Sequence, residues 1–296
     1  MSLTTVLPAS PALRAGLVMI LAMASFTAGD TMTKLMAGEV PVGQIIFFRG
    51  VVATAITALL ARKALARAML VFQKGVLVRS LSDVAGTILF ITALMHIPIA
   101  NLNAVMQAVP LLVIAFAALF LGETVGWRRV LAILLGLAGV LFVVKPSPAS
   151  FTVYDALSLG LIMAIALRDI FTRRLNFDVP TMIIVFANAA FVMLSGLLLY
   201  PFETWVTLSS RHLLLIFCGG ILLSIGYVCM VLTIRMGDIS QTAIYRYSVV
   251  LFGLLSGTLV FGEFPDRWAL LGIALIVVSG IYALLREMRA ARENQL

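Results

Sequence analysis

Charge is scarce in this sequence. Only 11% of the residues are charged and 62% are apolar, whereas a soluble domain carries about 25% charged residues. A chain so poor in charge cannot cover a water-facing surface, which excludes a soluble globular domain and implies an integral membrane protein. Histidine and cysteine are scarcer still, with two of each. Two histidines give no credible metal site. Cys218 and Cys229 lie eleven residues apart on one expected helix. That is about 16 Å at a 1.5 Å rise, too far for a disulfide. No GxxxxGKS/T phosphate loop occurs, and the longest connection, about 62–76, is too short for a nucleotide-binding domain. The expected spans contain no Ser/His/Asp set, no metal ligands and no paired acids. The chain is therefore read as a non-enzyme without a cofactor.

What the sequence has instead is long apolar runs. They are continuous rather than alternating, which selects helices over a barrel. Ten of them approach the ~20 residues that cross a hydrocarbon core. They cover about 13–35, 42–61, 77–95, 99–121, 128–144, 154–173, 181–200, 212–233, 239–261 and 268–285. The fifth is the shortest. His96-Ile97-Pro98 separates the third from the fourth, since Pro98 disfavours helix at Ile97. Ala22-Met23-Ala24 mimics a signal cleavage site, but the apolar pattern runs through it. Trp127, Trp205 and Trp268 fall at span ends, where interfacial anchoring is expected.

The net charge of +8 is an orientation signal and not a nucleic-acid footprint. Loops on the N-terminal side hold fourteen Lys and Arg residues, the opposite side four, and Arg49, Arg168 and Arg246 fall inside spans. This bias places both termini in the cytoplasm and suits contact with anionic lipid headgroups.

The chain is written twice. Asp30-Thr31-Met32-Thr33-Lys34 returns as Asp169-Ile170-Phe171-Thr172-Arg173, and Val40-Pro41 returns as Val179-Pro180, both at an offset of 139. Phe120-Leu121-Gly122-Glu123 returns as Val260-Phe261-Gly262-Glu263 at 140, and Trp127 and Gly139 return as Trp268 and Gly280 at 141. Each copy, 13–144 and 154–285, holds five spans. An odd-numbered unit repeated in tandem inserts upside down the second time. The expected fold is an all-α integral membrane protein, with ten transmembrane helices as two inverted five-helix repeats. Such repeats around a midplane site are common in secondary transporters.

The ten spans, the two five-span halves and the Gly-Glu pairs closing spans four and nine resemble the drug/metabolite transporter superfamily, EamA type. Arg49 matches a position where that family often has Arg, and the whole is similar to its bacterial aromatic amino-acid exporters. The resemblance covers about 13–285 and implies alternating access, a central cavity, export from the cytoplasm and a bacterial inner-membrane location.

Polar groups inside a bilayer are expensive, so each is a candidate for the site. Asn103 and Gln107 stand at i and i+4 on one face of span four, three residues before the helix-kinking Pro110. They fit a binding face or amide glue between helices. The 140 offset carries Gln107 onto Tyr247 and Asn101 onto Gln241. It favours Tyr247 for the cavity, with Gln241 and Tyr245 forming the competing face of span nine. Arg246 could bind a carboxylate or snorkel to the cytoplasmic surface. Arg79 and Asp83 read as an i, i+4 ion pair on span three, with a proton or cation role open to the deeper Asp83. Asp30 and Lys34 on span one read the same way, as an interface pair. Asn188 on span seven and Tyr227 on span eight face either the cavity or a neighbouring helix. Every Glu lies at a span end or tail, which argues against a dedicated cation antiporter.

These residues predict a secondary transporter for a small-molecule substrate. The reading favours amino acids, aromatic ones included, with efflux of planar cationic drugs or a non-transporting structural subunit as alternatives. Monomer and homo-oligomer both stay open.

Overall fold

The computed structural model describes residues 11–62, 69–70, 72–121, 126–145, 152–173, 181–236, 242 and 244–293. The described residues are mostly helical, with no strand among them. In hydrocarbon a spanning segment must satisfy its own backbone, and a helix does so residue by residue. The helices are α1 (Pro11–Lys34), α2 (Val42–Ala61), α3 (Lys74–Leu94), α4 (Ile99–Met106), α5 (Val109–Leu121) and α6 (Trp127–Val144). They continue with α7 (Val153–Arg173), α8 (Thr181–Leu199), α9 (Ser210–Met236), α10 (Ser248–Phe261) and α11 (Arg267–Glu293). Among the described residues, eight helical segments are long and apolar enough to cross a membrane, counting α4 and α5 as one. Expected spans five and six appear as the shorter apolar stretches Val130–Val144 and Val153–Leu167. α11 runs well past the expected end of span ten.

Spans four and nine are broken. α4 stops at Met106, Gln107 and Ala108 make i→i−3 bonds to Ala104 and Val105, and α5 then begins. Pro110 lies four residues after Met106 and supplies no N–H to its carbonyl, so the helix yields there. In span nine a 3₁₀ turn, Ile244–Tyr247, directly precedes α10. Non-helical backbone at membrane depth is tolerated where protein buries it or where it lines a cavity.

The long helices pack as pairs: α1 with α9, α2 with α8, α3 with α7, α6 with α11, and α4 with α10. Small residues allow the close crossings. On Gly196 of α8 a side chain would sit 2.5 Å from the Phe47 backbone of α2, and on Gly139 of α6 it would sit 2.8 Å from the Gly272 carbonyl of α11. The main apolar core joins α4, α5, α6, α7, α10 and α11 around Val105, Leu112, Phe116, Ile162, Val250 and Ile276.

The end of the bundle that holds the C-terminus of α1 is tied by polar contacts. Gly262 takes a left-handed conformation (φ 65°) that closes α10, a conformation glycine adopts without steric penalty. The chain then doubles back, with Glu263 N–H donating to Gly257 O at 2.8 Å. This turn aims the Glu263 carboxylate at Lys34 Nζ (2.7 Å) and at the Ile99 N–H that opens α4 (3.4 Å). Lys34 also donates to Ile97 O at 2.7 Å. Lys34 thus reaches α10 and the α3–α4 corner, not the Asp30 expected as its partner four residues back. Nearby, Glu203 accepts from Gly43 N–H at the start of α2 (3.0 and 2.9 Å). Gln44 and Val206 exchange two hydrogen bonds, at 2.7 and 3.0 Å. Lys145 pairs with Asp266. On the exposed rim Glu39 meets His212 (2.7 Å) and Arg211 (2.8 Å). His212 and then Arg211 hold the Glu39 carboxyl below its ordinary range.

Candidate functional site

A cavity of about 300 Å³ lies in the middle of the bundle. α1, α2, α3, α4, α7, α8, α9 and the 3₁₀ turn all contribute to its wall, with Val249 from the start of α10. α6 and α11 pack together outside it. The volume is at the low end of the roughly 300–1,000 Å³ typical of small-molecule sites.

Of the nine residues expected at the site, Asp83, Asn103, Gln107, Asn188, Tyr227 and Arg246 line this cavity. Asn103 and Gln107 reach it from the last turn of α4 and the break that follows. The break matters here, because it ends the helix where a polar side chain faces inward. Asn103 and Gln107 are both buried, 4% and 8% exposed. Asn103 packs against Gly253 of α10, and its Nδ2 has no hydrogen-bond partner. Asn188 Oδ1 is buried and unpaired too. An unpaired donor and an unpaired acceptor in one cavity wall are costly unless something meets them. Asp83 lies 3.9 Å from Arg79 across one helical turn.

The other three residues stand elsewhere. Tyr247 is buried away from the cavity, with its hydroxyl pressed against Gly280 of α11 and without a hydrogen-bond partner. The ring of Tyr245 covers Gly16 of α1, so the competing face of span nine packs on a neighbouring helix. Gln241 lies outside the described residues, as do Gly122 and Glu123. Between the two tyrosines Arg246 points to the cavity and remains exposed.

Asp30 and Arg49 complete the wall, and reasoning from the sequence did not assign them to it. Asp30 is not the i, i+4 partner of Lys34 but meets Arg49 Nη2 at 3.4 Å. Arg49 Nη1 donates to Thr33 at 2.7 Å. The signal was present in two charges placed a helical turn or more inside their spans. The absence of glutamate from the spans is real, yet two aspartates, Asp30 and Asp83, are buried at the cavity (8% and 9% exposed). The site therefore carries two carboxylates and two guanidiniums. The rest of the wall is apolar, with an aromatic element where Phe26 and Tyr227 meet edge to face at 5.3 Å. Such a wall can hold a ligand that has both charges and an apolar body. Among the described residues no cluster of three or more metal-ligating side chains occurs.

Known proteins resemble this chain in sequence and in fold. The sequence pattern of the EamA-like transporter family matches twice, over residues 13–145 and 152–285. The pseudopaline exporter of Pseudomonas aeruginosa is 29% identical over 269 residues, 90% of this chain and 94% of its own length. An S-adenosylmethionine uptake transporter of Rickettsia conorii is 24% identical over 193 residues, 65% of each chain. A riboflavin transporter of Vibrio cholerae is 25% identical over 222 residues, 74% of each. One crystal structure superimposes with a TM-score of 0.63 at 21% identity, covering 94% of this chain and 99% of its own, a likeness of fold.

Proposed function

The chain belongs to the EamA-like transporter family, and from that premise we propose that it is a secondary transporter exporting small amino acids, aromatic ones included, through its central cavity. The balance of two carboxylates and two guanidiniums beside the Phe26–Tyr227 pair carries this reading. A zwitterion with an apolar side chain finds a partner there for each of its parts.

Alternating access between two inverted five-helix repeats, 13–144 and 154–285, is supported by the helix pairing. Exchanging each span for the one five places along turns the pair of spans one and eight into the pair of spans six and three. It maps spans two with seven, four with nine and five with ten onto themselves. All of these pairs are in contact. The positive-inside bias puts both termini in the cytoplasm of a bacterial inner membrane. The tied end of the bundle is then the outer one, and the exposed Arg246 belongs to a cavity approached from inside. Family membership does not itself set direction, since the relatives include a named exporter and a named uptake transporter.

Uptake of radiolabelled phenylalanine, tryptophan, leucine and threonine into proteoliposomes tests the proposal against empty liposomes. Saturable uptake is expected for at least the aromatic pair. The two buried aspartates also favour a second reading, efflux of planar cations. If such a cation is carried and no amino acid competes with it, the amino-acid assignment fails and the cation reading replaces it.

A further inference from the structure

The cavity wall holds a buried ion pair that leaves much of its bonding capacity unused. Arg49 is 7% exposed. Its Nη2 meets one carboxylate oxygen of Asp30, at 3.4 Å, and its Nε is buried with no hydrogen-bond partner. A guanidinium presents five N–H donors in a planar fork and binds a carboxylate best through two parallel contacts of about 2.7–2.9 Å. Asp30 thus balances the charge of Arg49 without filling its fork. Helix association does not need such a pair, because packing and neutral polar groups suffice in a membrane. The other charged groups of the wall are placed differently. Asp83 and Arg246 each have interactions of their own, and Arg246 is exposed.

Resting on the transporter reading above, we propose that the Asp30–Arg49 pair is the head-group site for α-amino acids. The substrate carboxylate takes the fork of Arg49, and the substrate ammonium takes Asp30. One long contact is exchanged for two complementary ones, and the sum of charge in the cavity does not change. An α-amino acid suits this exchange because its two charges are joined through a single carbon, close enough to enter between paired side chains. Thr33 accepts from Arg49 Nη1 at 2.7 Å and so holds the guanidinium in its orientation. One helical turn from Asp30 along α1, Phe26 stands with Tyr227 at the cavity wall, on the same face of the helix. The substrate side chain lies against that pair. The inference makes Arg49 and Asp30 specificity-determining residues that recognise substrate by both of its charges at once.

The experiment is phenylalanine transport in proteoliposomes by the wild type, Arg49→Lys and Asp30→Asn. 3-Phenylpropanoate, which lacks the ammonium, and 2-phenylethylamine, which lacks the carboxylate, serve as competitors. Both analogues are expected to compete at least about tenfold more weakly than phenylalanine against the wild type, as the loss of a charged hydrogen bond implies. Arg49→Lys keeps the charge but loses the fork and raises KM by a similar factor. Asp30→Asn weakens phenylalanine and narrows its lead over 3-phenylpropanoate. Unchanged KM in both variants, with the wild type carrying phenylalanine, overturns the head-group site and leaves the transporter reading intact. Competition by either analogue as strong as that by phenylalanine against the wild type overturns it as well, even where a variant fails to purify as a single species. A wild type that carries no amino acid overturns both readings together.

Discussion

Spans four and nine break at matching places, 140 residues apart, and use the break in opposite ways. In span four the interruption after Met106 turns Gln107 into the cavity beside Asn103. In span nine the 3₁₀ turn sends Tyr247, the counterpart of Gln107, against Gly280 and leaves Arg246 facing inward. The two breaks share a backbone irregularity while their side chains serve different tasks. One half supplies neutral amides and the other a cation plus a packed ring. A cavity bordered by two similarly broken spans need not be chemically symmetric. Its positions can share a register without sharing a direction.

The largest effect should come from cutting the tie between the two broken helices. Glu263 closes span nine and reaches both Lys34 and the first N–H of α4. Glu263→Gln leaves the Lys34 ammonium, 6% exposed, without its counter-charge. Breaking a fully buried pair costs about 3–5 kcal/mol, and the 28% exposure of the Glu263 side chain lowers this to about 2 kcal/mol. A clear fall in Tm is the expected result in detergent-purified protein, and an unchanged Tm would mean that the two breaks hold their places independently.

A smaller effect separates the two breaks directly. Gln107→Ala removes a polar group from the cavity wall and should raise the KM for a transported amino acid about three- to tenfold, the equivalent of one hydrogen bond. Tyr247→Phe removes a buried hydroxyl that has no partner. It should leave KM unchanged and Tm equal or slightly higher. The reverse ranking would put Tyr247 at the substrate and Gln107 among the packing residues.

The smallest effect belongs to the rim, away from both breaks. Glu39→Gln should change neither KM nor Tm appreciably at neutral pH, because exposed ion pairs contribute little. The sign of its pH dependence is fixed all the same. The folded-state pKa of Glu39 is lowered by His212 and Arg211. Its contribution is therefore present above the ordinary glutamate range and fades as pH falls through the lowered value. Tm measured against pH in the acid range should fall less steeply for Glu39→Gln than for the wild type.

Much of the architecture could be read from residue order because hydrocarbon imposes helix on any long apolar run. The expected span 42–61 coincides with α2, and Pro98 separates α3 from α4 as anticipated. Pro110 signalled a kink, and the interruption sits at Gln107–Ala108, because the missing N–H is felt four residues upstream. Side-chain partners were harder to read. Asp30 and Lys34 share a helical face, and spacing alone joins them, whereas the folded chain pairs Asp30 with Arg49 of α2 and Lys34 with Glu263 in the turn after α10. The offset that aligned Tyr247 with Gln107 preserves backbone register but says nothing of which neighbour a ring will meet. Asn188 and Tyr227 were ambiguous for the same reason, since a lone polar residue does not reveal which helix covers it.

The charge balance of the cavity has an electrical consequence. With Asp30, Asp83, Arg49 and Arg246 all ionised, the wall sums to zero, and a zwitterion adds nothing to that sum. A membrane potential does work of about 2.3 kcal/mol per elementary charge per 100 mV. On a carrier whose loaded and empty forms bear the same charge it does none. Voltage would then neither drive nor oppose the passage of a zwitterion through such a carrier.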